Sequence, residues 1–445
     1  MKTLRNSFQT LWKYPSAVMG VLVIIALVVI SIYTLVTIPY QEAIRLWRGG
    51  EDVWYRNPKF ASPSWINFFS AKKYAESFAV QTSDGSMSKV VTSNDQDTST
   101  IASSYTFPFE ADVLPQDMIL YITSMYQEKQ PFLSAEWHTP DGRTIRLTNM
   151  AVTQKQTYRF AQDEKLKVKL KTDDVIAALF TDPKTGQIIK GDYQLQLSGA
   201  TFEPESNMDL EFVFHGQVYG LAGTDQARRD LMLPLLWGTP VALAFGLIAS
   251  LGTAVLTMVI AALGTWYGGW LDNIIQRITE INIVLPFLSI LIMVGTFYSR
   301  SIWVILGVTI LLSIFSGAII TYRSTFLQVK ESMYIEAAKA YGASSPRIVF
   351  VYLIPRMIPL LIPGLVSAVP VFVFLEASLA VLGLGDPVLP TWGKIIQDAN
   401  SNGALYRGYY YWILEPATLL MITGLGFAML GFALDRVFNP KLRNI

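Results

Sequence analysis

The chain has 445 residues, 51% of them hydrophobic and only 16% charged, with a formal net charge of +1 and a mean hydropathy of +0.35. Soluble domains carry roughly 25% charged residues, so the deficit points to a membrane protein, and the balanced charge argues against a nucleic-acid partner. The lack of cysteine excludes disulfides, Fe–S clusters and thiolate zinc sites in this chain, and two histidines, His138 and His215, leave little for a histidine-based metal centre.

In chain order, the first feature is the uncharged run Ala17–Ile38, preceded by Lys2, Arg5 and Lys13. Its apolar core exceeds the ~7–15 residues of a signal peptide, and no clear small-x-small cleavage site follows, so it reads as a retained signal-anchor helix. Residues 41–222 are polar. Within them "QTSDGSMSKVVTSNDQDTSTIASS" (81–104) reads as a loop or flexible lead-in. Two-residue alternation follows. "KLKVKLK" (165–171) places Leu166, Val168 and Leu170 on one face and four lysines on the other, and "YQLQLSG" (193–199) alternates likewise. That is the period of half-buried strands. The Pro-Asp-Gly of "HTPDGRTIRL" (138–147) marks a hairpin, similar strand runs lie near 105–110, 118–125 and 208–215, and "TDDVIAALF" (172–180) reads as a capped helix. The stretch is expected to be an inserted, mainly β extracytoplasmic domain, sandwich-like. It shows no nucleophile–base pair and no metal spacing, which suits a docking or covering module. The lysine-bearing face suits either plain solvation or an acidic partner or anionic lipid.

Five further uncharged runs follow: Leu231–Leu271, with a span at about 238–265, then Ile281–Ser299, Ser301–Tyr322, Met357–Leu375 and Pro416–Leu434. The expected membrane part is all-α with six transmembrane helices. With the N-terminus inside, the short inner segments hold Lys2, Arg5, Lys13, Arg277, Arg323, Lys330, Lys339, Arg347, Arg356, Arg436, Lys441 and Arg443, twelve cations. The short outer loops hold Arg300, Lys394 and Arg407. The positive-inside rule then places both termini and 323–356 in the cytosol, and 41–222 outside. The expected organisation is 1–40 as cytosolic N-terminus and first span, 41–222 as the inserted domain, and 223–445 as a core with spans two to six and a cytosolic loop at 323–356.

Inside that loop, "EAAKAYGASSPRIVFVYLIP" (336–355) reads as helix, sharp turn, helix. Glu336, Ala337, Ala338 and Tyr341 belong to the first helix, Gly342 suits a left-handed end, and Ser345 reads as N-cap with Pro346 opening the second helix. Shape alone suits an interfacial connector as well as a docking element. The spacing resembles the EAA loop of ATP-binding-cassette importer permeases, carried by Glu336, Ala337, Ala338, Gly342 and Pro355. Tyr352 and Leu353-Ile354 depart from the pattern of its peptide-transporter branch. "LAGTDQARRD" (221–230) resembles a motif outside the second span of the oligopeptide, dipeptide and nickel permeases, matched at Gly223, Thr224, Asp225, Arg229 and Asp230, with Arg228 where the family has glycine. "GTWYGGWLDNIIQRITEINIVLP" (264–286) and "FLEASLAVLGLGDPVLPTWGKII" (374–396) resemble two further stretches of that family.

The resemblance covers about 220–445 and the first helix. It implies the type I importer fold and a permease subunit of an ATP-driven, binding-protein-dependent importer of oligopeptides or dipeptides. It implies a homologous second permease subunit, two ATPase subunits holding ATP and Mg, one of them docked on the EAA helix, an extracytoplasmic solute-binding protein, and surrounding membrane lipids in the cytoplasmic (inner) membrane of a prokaryote. No catalytic, metal or cofactor site is expected in this chain, and no G-x-x-x-x-G-K-[ST] stretch occurs in it. Glu376 falls near the outer end of the fifth run. It is either a functional intramembrane carboxylate or an acceptor for the backbone N–H groups of Leu382–Gly385. The alternatives from other classes are a membrane-anchored sensor using 41–222 as its ligand domain, and an intramembrane enzyme.

Overall fold

The computed structural model describes residues 14–93 and 98–438. Lys2, Arg5, Lys13, Lys441, Arg443 and the centre of the Ser/Asp-rich stretch, 94–97, lie outside the described residues. Two compact units divide the chain. One comprises the chain up to Arg48 together with Leu233 onwards, and the other is Gly49–Met232.

The first unit opens with α1 (Pro15–Thr37) and a short amphipathic α2 (Tyr40–Arg48) that buries Ala43 and Trp47. The chain then enters the second unit, which has nine strands: β1 (Phe78–Gln81), β2 (Ser88–Ser93), β3 (Ser99–Phe109), β4 (Asp117–Met125), β5 (Phe132–His138), β6 (Thr144–Ala151), β7 (Lys155–Arg159), β8 (Gly191–Thr201) and β9 (Asn207–His215). They form two antiparallel sheets, ordered β1-β9-β4-β7 and β2-β3-β8-β5-β6. Both sheets feed one apolar core. Phe107 of β3 lies 5.3 Å from Phe214 of β9, ring to ring, and Trp137 of β5 packs on Phe160.

Two readings of this region are corrected. "SKVVTS" is strand β2, paired with β3 from Ser88↔Ser104 to Ser93↔Ser99, so most of 81–104 is a hairpin and not a loop. Its Ser and Thr side chains are polar, yet Val90, Val91 and the Thr residues favour extended backbone. "KLKVKLK" is a helix, α3 (Glu164–Leu170), not a strand. Asp163 caps it, accepting from Lys165 N and Leu166 N at 2.9 and 3.1 Å, and Lys171 ends it in the left-handed region at φ 56°. Leu166 is buried and Val168 is exposed. The operative spacing is therefore Leu166 to Leu170, one helical turn, with straight-chain Lys and Leu supporting it. α4 (Val175–Phe180) follows, capped by Asp174.

The first unit resumes with α5 (Met232–Tyr267), α6 (Gly269–Val284), α7 (Phe287–Phe297), α8 (Ile302–Ile314), α9 (Gly317–Lys330), α10 (Met333–Ala340), α11 (Ile354–Leu379), α12 (Trp392–Ser401) and α13 (Tyr411–Phe438). Among the described residues four helical stretches are long and apolar enough to cross a membrane: α1, α5, the run Ser345–Leu384 that contains α11, and α13. Two pairs pass the same test only together, α6 with α7 bent by 80° and α8 with α9 bent by 46°. The third and fourth uncharged runs are thus broken helices. Pro286 stops the first pair, since proline disfavours helix in the residue before it. The second pair breaks at Phe315–Ser316, and polar side chains take the carbonyls this frees. Asn282 Nδ2 donates to Leu312 O at 2.8 Å and Phe315 O at 2.9 Å, and Thr257 Oγ1 donates to Ile314 O at 3.0 Å. An unpaired carbonyl in hydrocarbon is costly, so such partners fix where the bend sits.

α12 is held by close approach. Trp392 Nε1 donates to Leu235 O at 2.9 Å. A Cβ on Gly238 would meet the Trp392 ring at 2.3 Å, so only glycine lets the indole approach α5 this closely.

Candidate functional site

The segment that joins α9 to α11 is organised by its ends. α10 finishes at Ala340, Gly342 stands at φ +76°, and two backbone bonds close the turn: Gly342 N to Lys339 O at 2.9 Å and Ala343 N to Ala338 O at 3.0 Å. This is the paired closure of a Schellman motif, which needs a left-handed residue after the cap. The next helical turn is Ser345–Arg347 with Ser344 at its N-cap position, one residue before the expected Ser345. Neither serine side chain makes a capping bond there, so the backbone and Pro346 at the second helical position set the start. The path continues as a π-helical stretch, Ile348–Leu353, directly into α11. Tyr352 and Leu353, two of the residues that depart from the family pattern, lie in this wider turn.

The helix α10 has two faces. Ile335 is buried in a cluster with Ile319, Phe326, Ile348 and Val349, together with Ala261, Ala262 and Ile275 of α5 and α6, and Ala338 is buried one turn on. Met333, Glu336, Ala337, Ala340 and Tyr341 are exposed, Tyr341 by 91%. Their spacing of three and four puts them on one stripe. The small Ala337 and Ala340 lie between a Met and a Tyr, which makes a shallow apolar seat.

The segment around α10 is anchored to the end of α5 through its flanking and exposed lysines. Lys330 Nζ donates to Thr265 O at 2.8 Å and Trp266 O at 3.1 Å, so it caps the last turn of α5, where carbonyls lack helical partners. Lys330 and Lys339 lie 5.7 and 5.0 Å from the centroid of the Trp266 ring, on which both cations are attracted to the π face. Arg323 of α9 pairs with Asp272 of α6 through Nε–Oδ1 at 2.8 Å and Nη2–Oδ2 at 2.5 Å. Sequence reading gave Arg323, Lys330 and Lys339 only as topology markers. Their contacts with Trp266 and Asp272 span over fifty positions and leave no local pattern.

The second cluster lies in the β unit. Thr224 Oγ1 donates to Pro58 O at 2.8 Å and accepts from Ala61 N at 2.9 Å. Asp225, buried, pairs with Arg229 at 2.6 Å and accepts from Ala227 N and Arg229 N. Gly223 O accepts from Leu231 N at 3.1 Å, and Asp230 Oδ1 accepts from Met232 N at 2.8 Å. Thr224 and Asp225, whose carbonyl accepts from Phe60 N, therefore tie 57–61 to the chain before α5, while Gly223, Arg229 and Asp230 close the 223–232 loop on itself. Arg228 occupies the left-handed region at φ +64°, so the turn keeps the backbone that glycine would give it. Its guanidinium donates to Asn57 O at 2.6 Å and lies 3.3 Å from both ring nitrogens of His215. Burial first, and then this cation, push His215 down to about 4.

Glu376 is buried near the C-terminal end of α11. The Thr391 side chain and Asp386 are the groups that act on its carboxyl. No hydrogen bond to it from Leu382–Gly385 is present. Asp386 is itself occupied, accepting from Ile302 N at 2.9 Å and Val388 N at 2.8 Å.

Apolar helices of spanning length, together with two broken pairs, mark an integral membrane protein. The model of the family "binding-protein-dependent transport system inner membrane component" matches residues 254–444. The dipeptide transport system permease protein DppC of Bacillus subtilis is 28% identical over 222 residues, covering 50% of this chain and 68% of that protein. The oligopeptide transport system permease protein OppC of Escherichia coli is 30% identical over 222 residues, covering 50% and 72%. The peptidoglycan transport system permease protein YejE of Agrobacterium fabrum is 28% identical over 188 residues, covering 40% and 47%. The chain belongs to the ABC importer permeases of the oligopeptide/dipeptide family, proteins of the inner membrane that work with other ABC components. The β-strands lie outside the matched residues.

Proposed function

We propose that the chain is one transmembrane subunit of an ATP-driven peptide importer, and that the exposed stripe of α10 receives an ATPase subunit. Support for the docking role comes from one observation. The stripe Met333, Glu336, Ala337, Ala340 and Tyr341 is exposed, while the segment that carries it is fastened to α5 and α6 by Lys339 on the Trp266 ring and, through α9, by Lys330 and the Arg323–Asp272 pair. A push on the stripe is thereby delivered to two membrane helices, and the unbroken path from Ser345 through α11 delivers it to a third. Peptide as cargo is supported by what the relatives are named for transporting.

In this reading each bent pair is one span, giving six, with 323–356 and both termini on the ATPase side. The β unit is an inserted, sandwich-like extracytoplasmic domain, and Gly223, Thr224, Asp225, Arg229 and Asp230 form the clasp that joins it to the second span. The partners are a homologous permease, two ATPase subunits that bring ATP and Mg, and a solute-binding protein outside. Glu376 is structural, buried at the end of α11 with Thr391, the N-cap of α12, acting on its carboxyl. Isolation of the chain from native membranes in mild detergent tests the assignment. Co-purification of an ATP-binding-cassette ATPase is expected, and its repeated absence would overturn the reading.

A further inference from the structure

We propose that the face of the β unit formed by Trp65, Phe69 and Leu221, with the exposed Phe68 and Lys72 next to it in the chain, sits in the lipid headgroup layer of the bilayer. Phe68 and Phe69 are 85% and 84% exposed and Leu221 is 67% exposed. Two adjacent phenylalanines so fully exposed are unusual for a surface in water, and a clustered apolar patch marks an interaction site. The aromatics stand on an ordered turn. Phe69 N and Ser70 N both donate to Ile66 O, and Asn67 exchanges two hydrogen bonds with Tyr74.

Chain continuity names the occupant. Ser64 N donates to Gly220 O at 2.8 Å and Trp65 Nε1 to Leu221 O at 2.9 Å, which ties the aromatic turn to 220–221. Leu231 N donates to Gly223 O, which ties that same loop to the residue just before α5 begins at Met232. The entry side is close too, for Arg228 lies 3.6 Å from Glu51 and its carbonyl accepts from Asn57 Nδ2. The exit from the β unit therefore runs from the loop tied to the patch straight into α5, and its entry comes from α1 through the short amphipathic α2. An exposed aromatic cluster with an exposed lysine next to it in the chain has the composition of a membrane-interface belt. Lys72 has no carboxylate partner among the described residues and fits anionic headgroups.

The chain lacks cysteine, so one introduced residue is a unique probe position. Full-length Phe68→Cys and Phe69→Cys, each labelled with an environment-sensitive fluorophore, are reconstituted in phosphatidylethanolamine/phosphatidylglycerol vesicles, with exposed Val168→Cys as the aqueous control. The expected result is quenching at 68 and 69 by headgroup-proximal spin-labelled lipid at least threefold stronger than at 168, with weak quenching by aqueous iodide. Iodide quenching equal to that at 168 would overturn the proposal. Protection from both quenchers would overturn it as well, by showing a protein surface over the patch.

Discussion

Lys339 sits 5.0 Å from the centre of the Trp266 ring, with the α10 cation resting on an aromatic in the last turn of α5. The same ring also faces Lys330, whose ammonium caps the α5 carbonyls. Trp266 is thus the point where the segment carrying the exposed stripe is fastened to a spanning helix.

Removing the ring should loosen this fastening without unfolding the helices. A partly exposed cation–π contact is worth about 0.5–1 kcal/mol, so two lost contacts correspond to roughly 5- to 30-fold weaker tethering. Trp266→Ala in the reconstituted importer is expected to retain ATP hydrolysis while peptide uptake per ATP falls severalfold. Lys339→Arg should restore little in that background and should be nearly silent alone, because the guanidinium also stacks on the ring.

Gly342 tests the turn itself. Nothing lies within 4 Å of a Cβ built there, so a substitution meets only the left-handed backbone at φ +76°. Gly342→Ala should weaken the turn by about 1 kcal/mol and Gly342→Asn by less, whereas Gly342→Pro cannot adopt a positive φ and would also lose the N–H bonded to Lys339 O. Uptake should fall in the order Asn, Ala, Pro with membrane insertion unchanged, as read by protease protection.

Arg228 poses the converse case. Arg228→Gly relieves left-handed strain but loses the contacts to Asn57, Glu51 and His215, while Arg228→Ala loses them and keeps the strain. The Ala variant should therefore be less stable than the Gly variant by about 1 kcal/mol. Urea-dependent proteolysis of the β unit measures the difference.

His215 gives that unit a pH dependence of definite sign. It is held at about 4 in the fold against 6.5 in the open chain, by burial and by Arg228 and Arg159. Between those values the unfolded unit binds more protons, so the contribution is complete above pH 6.5 and is lost as pH falls towards 4. The loss amounts to about 3 kcal/mol at most. Hydrogen exchange of the β9 amides from pH 7 to 4.5, with acid-base chemistry corrected, should show it, and His215→Gln should flatten it.

What was legible depended on where the determining contacts lie in the chain. The end of α10 was readable because Gly342 acts locally, and the apolar runs were readable because hydropathy is local too. Alternation misled at 165–171, where Leu166 and Leu170 share a helical face and only the Asp163 cap two places upstream decides between helix and strand. The bent pairs were partly hidden. Pro286 is visible in the sequence, but the break at Phe315 depends on Asn282, thirty-three positions away. At 221–230 the family motif was recognisable, while its work was not, since Thr224 and Arg228 bind the chain at 57–61.

The stripe on α10 as an ATPase seat is tested most directly by cross-linking. Tyr341→Cys provides a single reactive thiol at a fully exposed position of a chain without cysteine. In the assembled importer a short bifunctional reagent is expected to join residue 341 to an ATPase subunit, with a yield that changes between ATP-bound and nucleotide-free states, while Val168→Cys on the β unit yields no such product. A Tyr341→Cys importer that still transports but gives no ATPase cross-link in any nucleotide state would contradict the assignment.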